Sequence, residues 1–280
     1  MVPSILIIAP PRDVTAVAVA TVLRRRGVGR VELTDDLHLA RGGLTHTPAS
    51  GPSAADVPSE PPGHDVIWCR TGTLRARPFV RPVDAEYAAA EMHAIALSWL
   101  WSRRDVVVNQ PTPGALCGAA PDLLRLALAC ADVGLPTPDL LLAADAARVP
   151  RERWPVGERR TWAGGGVPRH LDAHPRATEQ PRLSAPMIGS SRTGTDRRQV
   201  LVCGDAVDGP AGLVEPLRAL VRSLGLEVAS VLLSPGEPRA AAPQVLGVDP
   251  VPATTTPAAL HVLARHLEAR ATQRTGRSVA

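Results

Sequence analysis

Ser4-Ile5-Leu6-Ile7-Ile8-Ala9-Pro10 is the stretch whose reading decides the fold. A nearly continuous apolar run of this length, stopped by proline, is the pattern of a strand buried on both faces, which belongs in a parallel sheet. Asp13 stands where an N-cap is wanted, and the spacing after it predicts a helix over Val14 to Arg26 that Gly27 ends. Val31 to Leu33 resumes a strand within Gly29-Arg30-Val31-Glu32-Leu33. Strand, helix and strand in succession make one βαβ unit, because parallel neighbours need a crossover rather than a hairpin.

The same signals extend outward from that unit. Residues 41–64 are rich in Gly, Pro, Ser and Thr without periodicity and read as a loose insertion. Val66 to Trp68 is a further strand, Glu86 to Trp101 a helix, and Val106 to Val108 a strand stopped by Asn109, Gln110 and Pro111. Ala119 to Val133 reads as a helix closed by Gly134, and Leu140 to Leu142 begins another strand. Residues 147–186 change character: Arg, Pro, Gly and His are dense and apolar runs are missing, the composition of a mobile lid or the largely irregular remnant of a lost subdomain. Gln199 to Cys203 is a strand ending in the turn Gly204-Asp205. A helix over Leu213 to Leu224 follows, then strands over Val228 to Leu233 and Gln244 to Val248, and a helix over Pro257 to Arg270. The expected organisation is therefore a βαβ lobe over 1–118, a connecting helix and strand over 119–146, the Pro/Gly/Arg-rich segment 147–186, a C-terminal α+β lobe over 187–272 and a frayed tail over 273–280.

Composition narrows the function classes. Of 280 residues 45% are hydrophobic, with one Phe, one Tyr and five Trp, so the core must be built from Leu, Val, Ala and Ile. The formal charge of +4 is spread among interspersed acids, and aromatic platforms are scarce, which argues against nucleic acid as a partner. Cys69, Cys117, Cys130 and Cys203 show no CxxC spacing and sit in apolar stretches, as reduced core thiols of a cytoplasmic protein do. No basic-then-apolar leader is present and no apolar run approaches the roughly 18 residues of a membrane span, so no membrane partner is expected.

All 31 Lys-plus-Arg residues are arginine. A Walker-type phosphate loop is excluded with its lysine, and arginine replaces an ammonium imperfectly because it is a fixed, always-charged fork. Rich Ala, Arg, Pro and Gly usage points to a high-GC coding sequence as the origin of that bias.

Four segments, in order, carry a resemblance. They are Ile67 to Arg70 (IWCR) ahead of a helix bearing Glu91, Val106 to Ala115 (VVVNQPTPGA), Gly134 to Pro138 (GLPTP), and Leu246 to Pro252 (LGVDPVP). Together they resemble the ATP-grasp superfamily, in its peptide-maturase and glutamate-ligase branch. That implies an α/β fold with an N-terminal parallel βαβ pre-grasp lobe, a shortened lid over 147–186 and a reduced C-terminal α+β lobe. It also implies a chemistry in which Mg²⁺, held by carboxylates and an asparagine, bridges ATP phosphates while an acyl phosphate forms. On the resemblance, the metal-binding aspartate falls on Leu232, the glutamate on Gly247 and the asparagine on Asp249. The lysine at the start of the Ala119 helix falls on Asp122 or Leu123, and the second lysine on Arg160, ahead of Gly164, Gly165 and Gly166. A glycine-rich loop can cradle phosphate on its N–H groups. The D-x-R motif corresponds to Asp196 and Arg198, with one residue more than the family has before Gly204, and a one-residue slip turns a strand side chain to the other face.

The candidate phosphate- or ligand-binding residues are therefore Arg160, Gly164, Gly165, Gly166, Asp196 and Arg198, with Asp249 as the candidate metal ligand. The expectation is a degenerate, catalytically inactive ATP-grasp-like protein with no cofactor. It would bind a peptide, a small molecule or a partner enzyme in peptide or natural-product biosynthesis, with a precursor peptide, a biosynthetic enzyme or a second copy of itself as partner. The alternative is a divergent ATP- and Mg-dependent carboxylate–amine ligase in which Arg160, Arg198 and Asp249 share one cleft.

Other constellations read as structural. His170 and His174 have the i, i+4 spacing of metal ligands but no third partner and flanking prolines. His261 and His266 read as surface residues on different faces of the last helix. No G-x-S-x-G occurs, so Ser190 and Ser191 are loop residues, and Ala9-Pro10-Pro11 lacks the glycines of a dinucleotide fingerprint. Arg24 to Arg26 suit a helix C-terminus, and Asp205 a turn.

Overall fold

The computed structural model describes residues 2–35, 63–74, 81–137, 159–162, 168–170, 187–189, 198–234 and 243–277. Strand β1 (Ser4–Ala9) lies at the centre of a parallel sheet ordered β2-β1-β3-β4, with β2 at Arg30–Asp35, β3 at Val66–Cys69 and β4 at Val107–Val108. Helix α1 (Val14–Arg25) crosses between β1 and β2, capped by the Asp13 carboxylate, which accepts from Ala16 N–H. Gly27 ends it in the left-handed region at φ 80°, a conformation that glycine adopts without steric penalty.

Helix α2 (Pro82–Ser102) precedes β4, and α3 (Leu123–Asp132) follows it. The helix expected from Ala119 begins four residues later, because Asp122 is its N-cap, accepting from Arg125 N–H. The position weighed as a lysine replacement is thus a cap. Residues 41–62 of the expected insertion, the expected strand over Leu140 to Leu142 and the ends of the 147–186 segment lie outside the described residues. Within that segment β5 (Arg159–Trp162) pairs antiparallel with β6 (Pro168–His170), and also with β7 (Met187–Gly189) just beyond it.

The C-terminal sheet is antiparallel and ordered β11-β10-β8-β9, with β8 at Arg198–Cys203, β9 at Ala206–Asp208, β10 at Val228–Leu233 and β11 at Val245–Asp249. Helix α4 (Val214–Ser223) follows a short 3-10 turn at Ala211–Leu213, and α5 runs from Pro257 to Arg277. α5 therefore continues past the Arg270 end expected, into the tail expected to fray. Thr275 is buried there and donates to the Ala271 carbonyl.

The layers follow from the faces of the two sheets. One face of the parallel sheet (Ile5, Ile7, Val66, Trp68) packs on α1 and α5, and the other (Leu6, Ile8, Ile67, Val107) on α2. Leu201, Cys203 and Val228 of the antiparallel sheet join the first cluster through Leu263, Ala264 and Leu267 of α5. The opposite face of that sheet (Val200, Val202, Val231) packs on α3 and α4. α5 is thus sandwiched between the sheets, which is why its inner residues are apolar and fully buried. Each such leucine removed from water contributes about 2 kcal/mol. Among the described residues no helix is long and apolar enough to cross a membrane.

Candidate functional site

Two polar side chains lock the sheets together and so fix what lies between them. Asn109, just past β4, adopts φ 60° and is 3% exposed. Its Oδ1 accepts from Glu227 N–H at 2.8 Å and Val228 N–H at 2.9 Å, and its Nδ2 donates to Val228 O at 2.7 Å and Pro250 O at 3.2 Å. One short amide satisfies the start of β10 and the loop after β11 at once. Asparagine tolerates the left-handed conformation better than most residues. Arg70, at the end of β3, is equally buried. Its Nε and Nη2 grip Asp13 at 2.8 and 3.2 Å, its Nη1 donates to Pro252 O at 2.9 Å, and its guanidinium lies 4.7 Å from the Trp68 ring centroid. Asp13 therefore serves two tasks, capping α1 and neutralising a buried cation. Sequence reasoning assigned it only the first, and it gave Arg70 and Asn109 no contacts at all.

The register of the antiparallel sheet tests where the resemblance would put metal ligands. Leu232 stands directly opposite Gly247, and Ser230 opposite Asp249. Side chains alternate across a strand, so Leu232, Gly247 and Asp249 share one sheet face, together with Gln199, which pairs with Leu232 from the other side. The three positions converge as a metal site requires, but only one of them carries a carboxylate. Among the described residues no group of three or more His, Cys, Asp or Glu side chains could hold a metal ion. Magnesium asks for a near-octahedral oxygen cage, and Leu232 and Gly247 supply no oxygen side chain to it. Among the described residues, those at these positions do not fit the metal.

Asp249 itself accepts from Val251 N–H at 2.8 Å. The residue keeps solvent-accessible surface, yet local burial lifts its carboxyl above the ordinary aspartate range, opposed by that N–H and by the nearby Arg70 charge. Arg198 pairs with Leu233, whose side chain belongs to the α3/α4 side of the sheet. Arg198 consequently faces away from Asp249, and Gln199 holds the position on the Asp249 face. The extra residue before Gly204 has turned the arginine over. Arg160 lies in β5, opposite His170 and Ile188. Gly164, Gly165, Gly166 and Asp196 lie outside the described residues, as do His174, Ser190 and Ser191.

A second polar centre sits where β10 begins. Glu227 accepts from His266 Nε2 at 2.8 Å and ion-pairs with Arg270, whose Nη2 also donates to Asp105 O and Val107 O. His266, expected on the surface, is only 16% exposed in its side chain, because α5 packs it over Gly204. Burial lowers its pKa, against the pull of Asp205. Gly204 has φ 56°, and a Cβ there would come within 2.7 Å of the His266 ring. Asp205 is the turn residue expected and is held by Arg222 and Arg218. His261 is exposed, its Nδ1 at 2.7 Å from Pro257 O. All four cysteines are buried and none forms a disulfide, as expected. Burial pushes the thiols of Cys117 and Cys130 up to about 11 and raises that of Cys203 further.

No family model matches the sequence, and no curated protein matches it. The fold, in contrast, has clear solved counterparts. It is similar to the ATP-grasp ligase PsnB complexed with precursor peptide PsnA2 and AMPPNP, at TM-score 0.62 and 18% identity over 96% of this chain and 97% of that one. It is similar to the macrocyclase MdnC bound with precursor peptide MdnA from Microcystis aeruginosa MRC, at TM-score 0.64 and 12% identity over 96% and 100%. It is also similar to a Chryseobacterium gregarium RiPP-associated ATP-grasp ligase in complex with ADP and a leader and core peptide, at TM-score 0.53 and 10% identity over 97% and 95%. With a parallel N-terminal sheet, an antiparallel C-terminal sheet and these counterparts, the chain has the ATP-grasp fold.

Proposed function

We propose that this protein is a non-catalytic member of the ATP-grasp fold that binds a peptide in a cytoplasmic peptide-modification or natural-product pathway. A small-molecule intermediate, a partner enzyme or a second copy of the chain are its other candidate partners. The observation that carries the reading is the pairing of Leu232 with Gly247 on the face that also bears Asp249. On the family correspondence, that pairing puts an apolar side chain and a glycine where metal carboxylates would stand, which supports the reading. The chain's lack of lysine supports the same reading. The precursor peptides bound to PsnB and MdnC favour a peptide over the other partners.

The rival reading, an active carboxylate–amine ligase using ATP and Mg²⁺, asks Arg160, Arg198 and Asp249 to share a cleft. The register that turns Arg198 away from Asp249 counts against it.

Manganese, as a paramagnetic stand-in for magnesium, tests the reading through its electron spin resonance signal. The natural chain should leave Mn²⁺ free in solution, whereas the combination Leu232→Asp, Gly247→Glu and Asp249→Asn should capture it. Capture by the natural chain that Asp249→Ala abolishes would overturn the reading.

A further inference from the structure

A groove of about 580 Å³ runs along α5, at the end of the sheet face remote from Leu232 and Gly247. Its floor is His266 and Arg270, with Val262, Ala269 and Gln273 on the same side of the helix. One turn of geometry explains the rims: at 100° per residue, Arg265 and Arg274 fall on opposite flanks of that stripe. The β8–β9 turn at Gly204-Asp205-Ala206 closes one wall and Asp105 another.

The acids around the groove are already engaged. The Asp205 carboxylate is ion-paired with Arg222 and, at 3.9 Å, with Arg218, and Glu227 with Arg270 and His266. Arg274 Nη1 donates to the Asp105 carbonyl at 2.6 Å, but the exposed Asp105 carboxylate stands 3.8 Å away, so the charge pair is loose. Among the described residues Arg265 has neither a hydrogen bond nor an ion pair. The walls therefore hold one uncompensated cation and one weakly compensated cation, on opposite rims above an imidazole. Glu227 fixes that imidazole by its Nε2, and its other edge lies against Gly204, which has no side chain to cover it.

We propose that this groove binds an oxyanion, presented by a phosphate ester or by a dicarboxylate, between Arg265 and Arg274 and beside His266. Arginine suits both sources, since its planar fork matches carboxylate and phosphate alike. The size suits a small ligand rather than a single ion. A bound anion adds negative charge next to His266, which burial holds below the ordinary histidine pKa while Asp205 pulls the other way. Binding is therefore accompanied by proton uptake at pH values between the lowered free pKa of His266 and the raised bound one. The titratable and charged groups facing the ring are Asp205 from the β8–β9 turn, Glu227 just before β10 and Arg265 and Arg270 from its own helix.

The test is a titration of the full-length chain with inorganic phosphate and, separately, with succinate, at constant ionic strength made up with chloride. Binding is read by calorimetry and by the His266 ring resonances. One of the two anions should move those resonances, and the one that binds tighter identifies the source. Arg265→Ala and Arg274→Ala should each weaken binding about tenfold or more, the loss expected when a charged hydrogen-bond partner is removed. Asp249→Ala should leave it unchanged, so failure here is separable from failure of the function proposed above. Resonances that move with neither anion, or affinities that survive both arginine substitutions, would overturn the assignment.

Discussion

Replacing Asn109 by alanine should be among the most damaging single changes available to this chain. The substitution orphans two buried N–H donors, on Glu227 and Val228, and strips a partner from the carbonyls of Val228 and Pro250. A buried donor left unpaired costs about 1–3 kcal/mol, and carbonyls with a second lone pair to spare cost less. Holding alanine at φ 60° adds about 1 kcal/mol more. The total is about 4–6 kcal/mol, a large part of the 5–15 kcal/mol by which domains are usually stable. Asn109→Gly removes the same hydrogen bonds without the steric cost and should be less damaging by about 1 kcal/mol. Asn109→Asp keeps the Oδ1 acceptor but turns the second oxygen against the two carbonyls, and should fall near alanine. Urea unfolding followed by tryptophan fluorescence reports all three. A loss below about 1 kcal/mol for Asn109→Ala would refute the claim that this amide joins the sheets.

Other expectations follow from the same contacts. Arg70→Met leaves Asp13 nearly buried without its counter-charge and should cost about 3–5 kcal/mol in the same unfolding assay, and a neutral result would mean Asp13 is solvated. The pKa values of His64 and His266 are both lowered by burial, so the unfolded chain takes up their protons first. Their contribution to stability is full above the ordinary histidine pKa of about 6.5. It is lost as pH falls from there through the lowered folded values. His266→Gln should flatten that slope, and an unchanged slope would remove His266 from the account. The four thiols should resist alkylation at pH 8 in the folded chain and react together on unfolding, since each is buried and burial raises the pKa of Cys117, Cys130 and Cys203. A fast-reacting thiol in the native state would contradict this.

What the sequence made legible was local. The apolar run at Ser4–Ala9, the Asp13 cap and the Gly27 stop act through neighbours a few residues away, and the strand and helix they predict are present. Boundaries set by less local causes moved. Ala119 and Ala120 have helix propensity, but Pro121 and the Asp122 cap start α3 later. α5 runs to Arg277 because Arg270 and Arg274 find carbonyls at Asp105 and Val107, more than 150 residues away in sequence. Asn109 looked like a strand stopper because its partners lie 118 or more residues downstream. Arg198 shows the opposite case: the additional residue before Gly204 is visible in the chain, and the period of two in a strand turns that count into a face. His266 misled because helical spacing separates it from His261 without saying which side meets the antiparallel sheet.

Calorimetric titration of the full-length chain with ATP, with and without Mg²⁺, tests the central claim most directly. The account predicts no metal-dependent heat at any nucleotide concentration that a micromolar site would register. Metal-dependent binding near micromolar affinity, about −8 kcal/mol, abolished by Asp249→Ala, would contradict it and make the chain a working ligase.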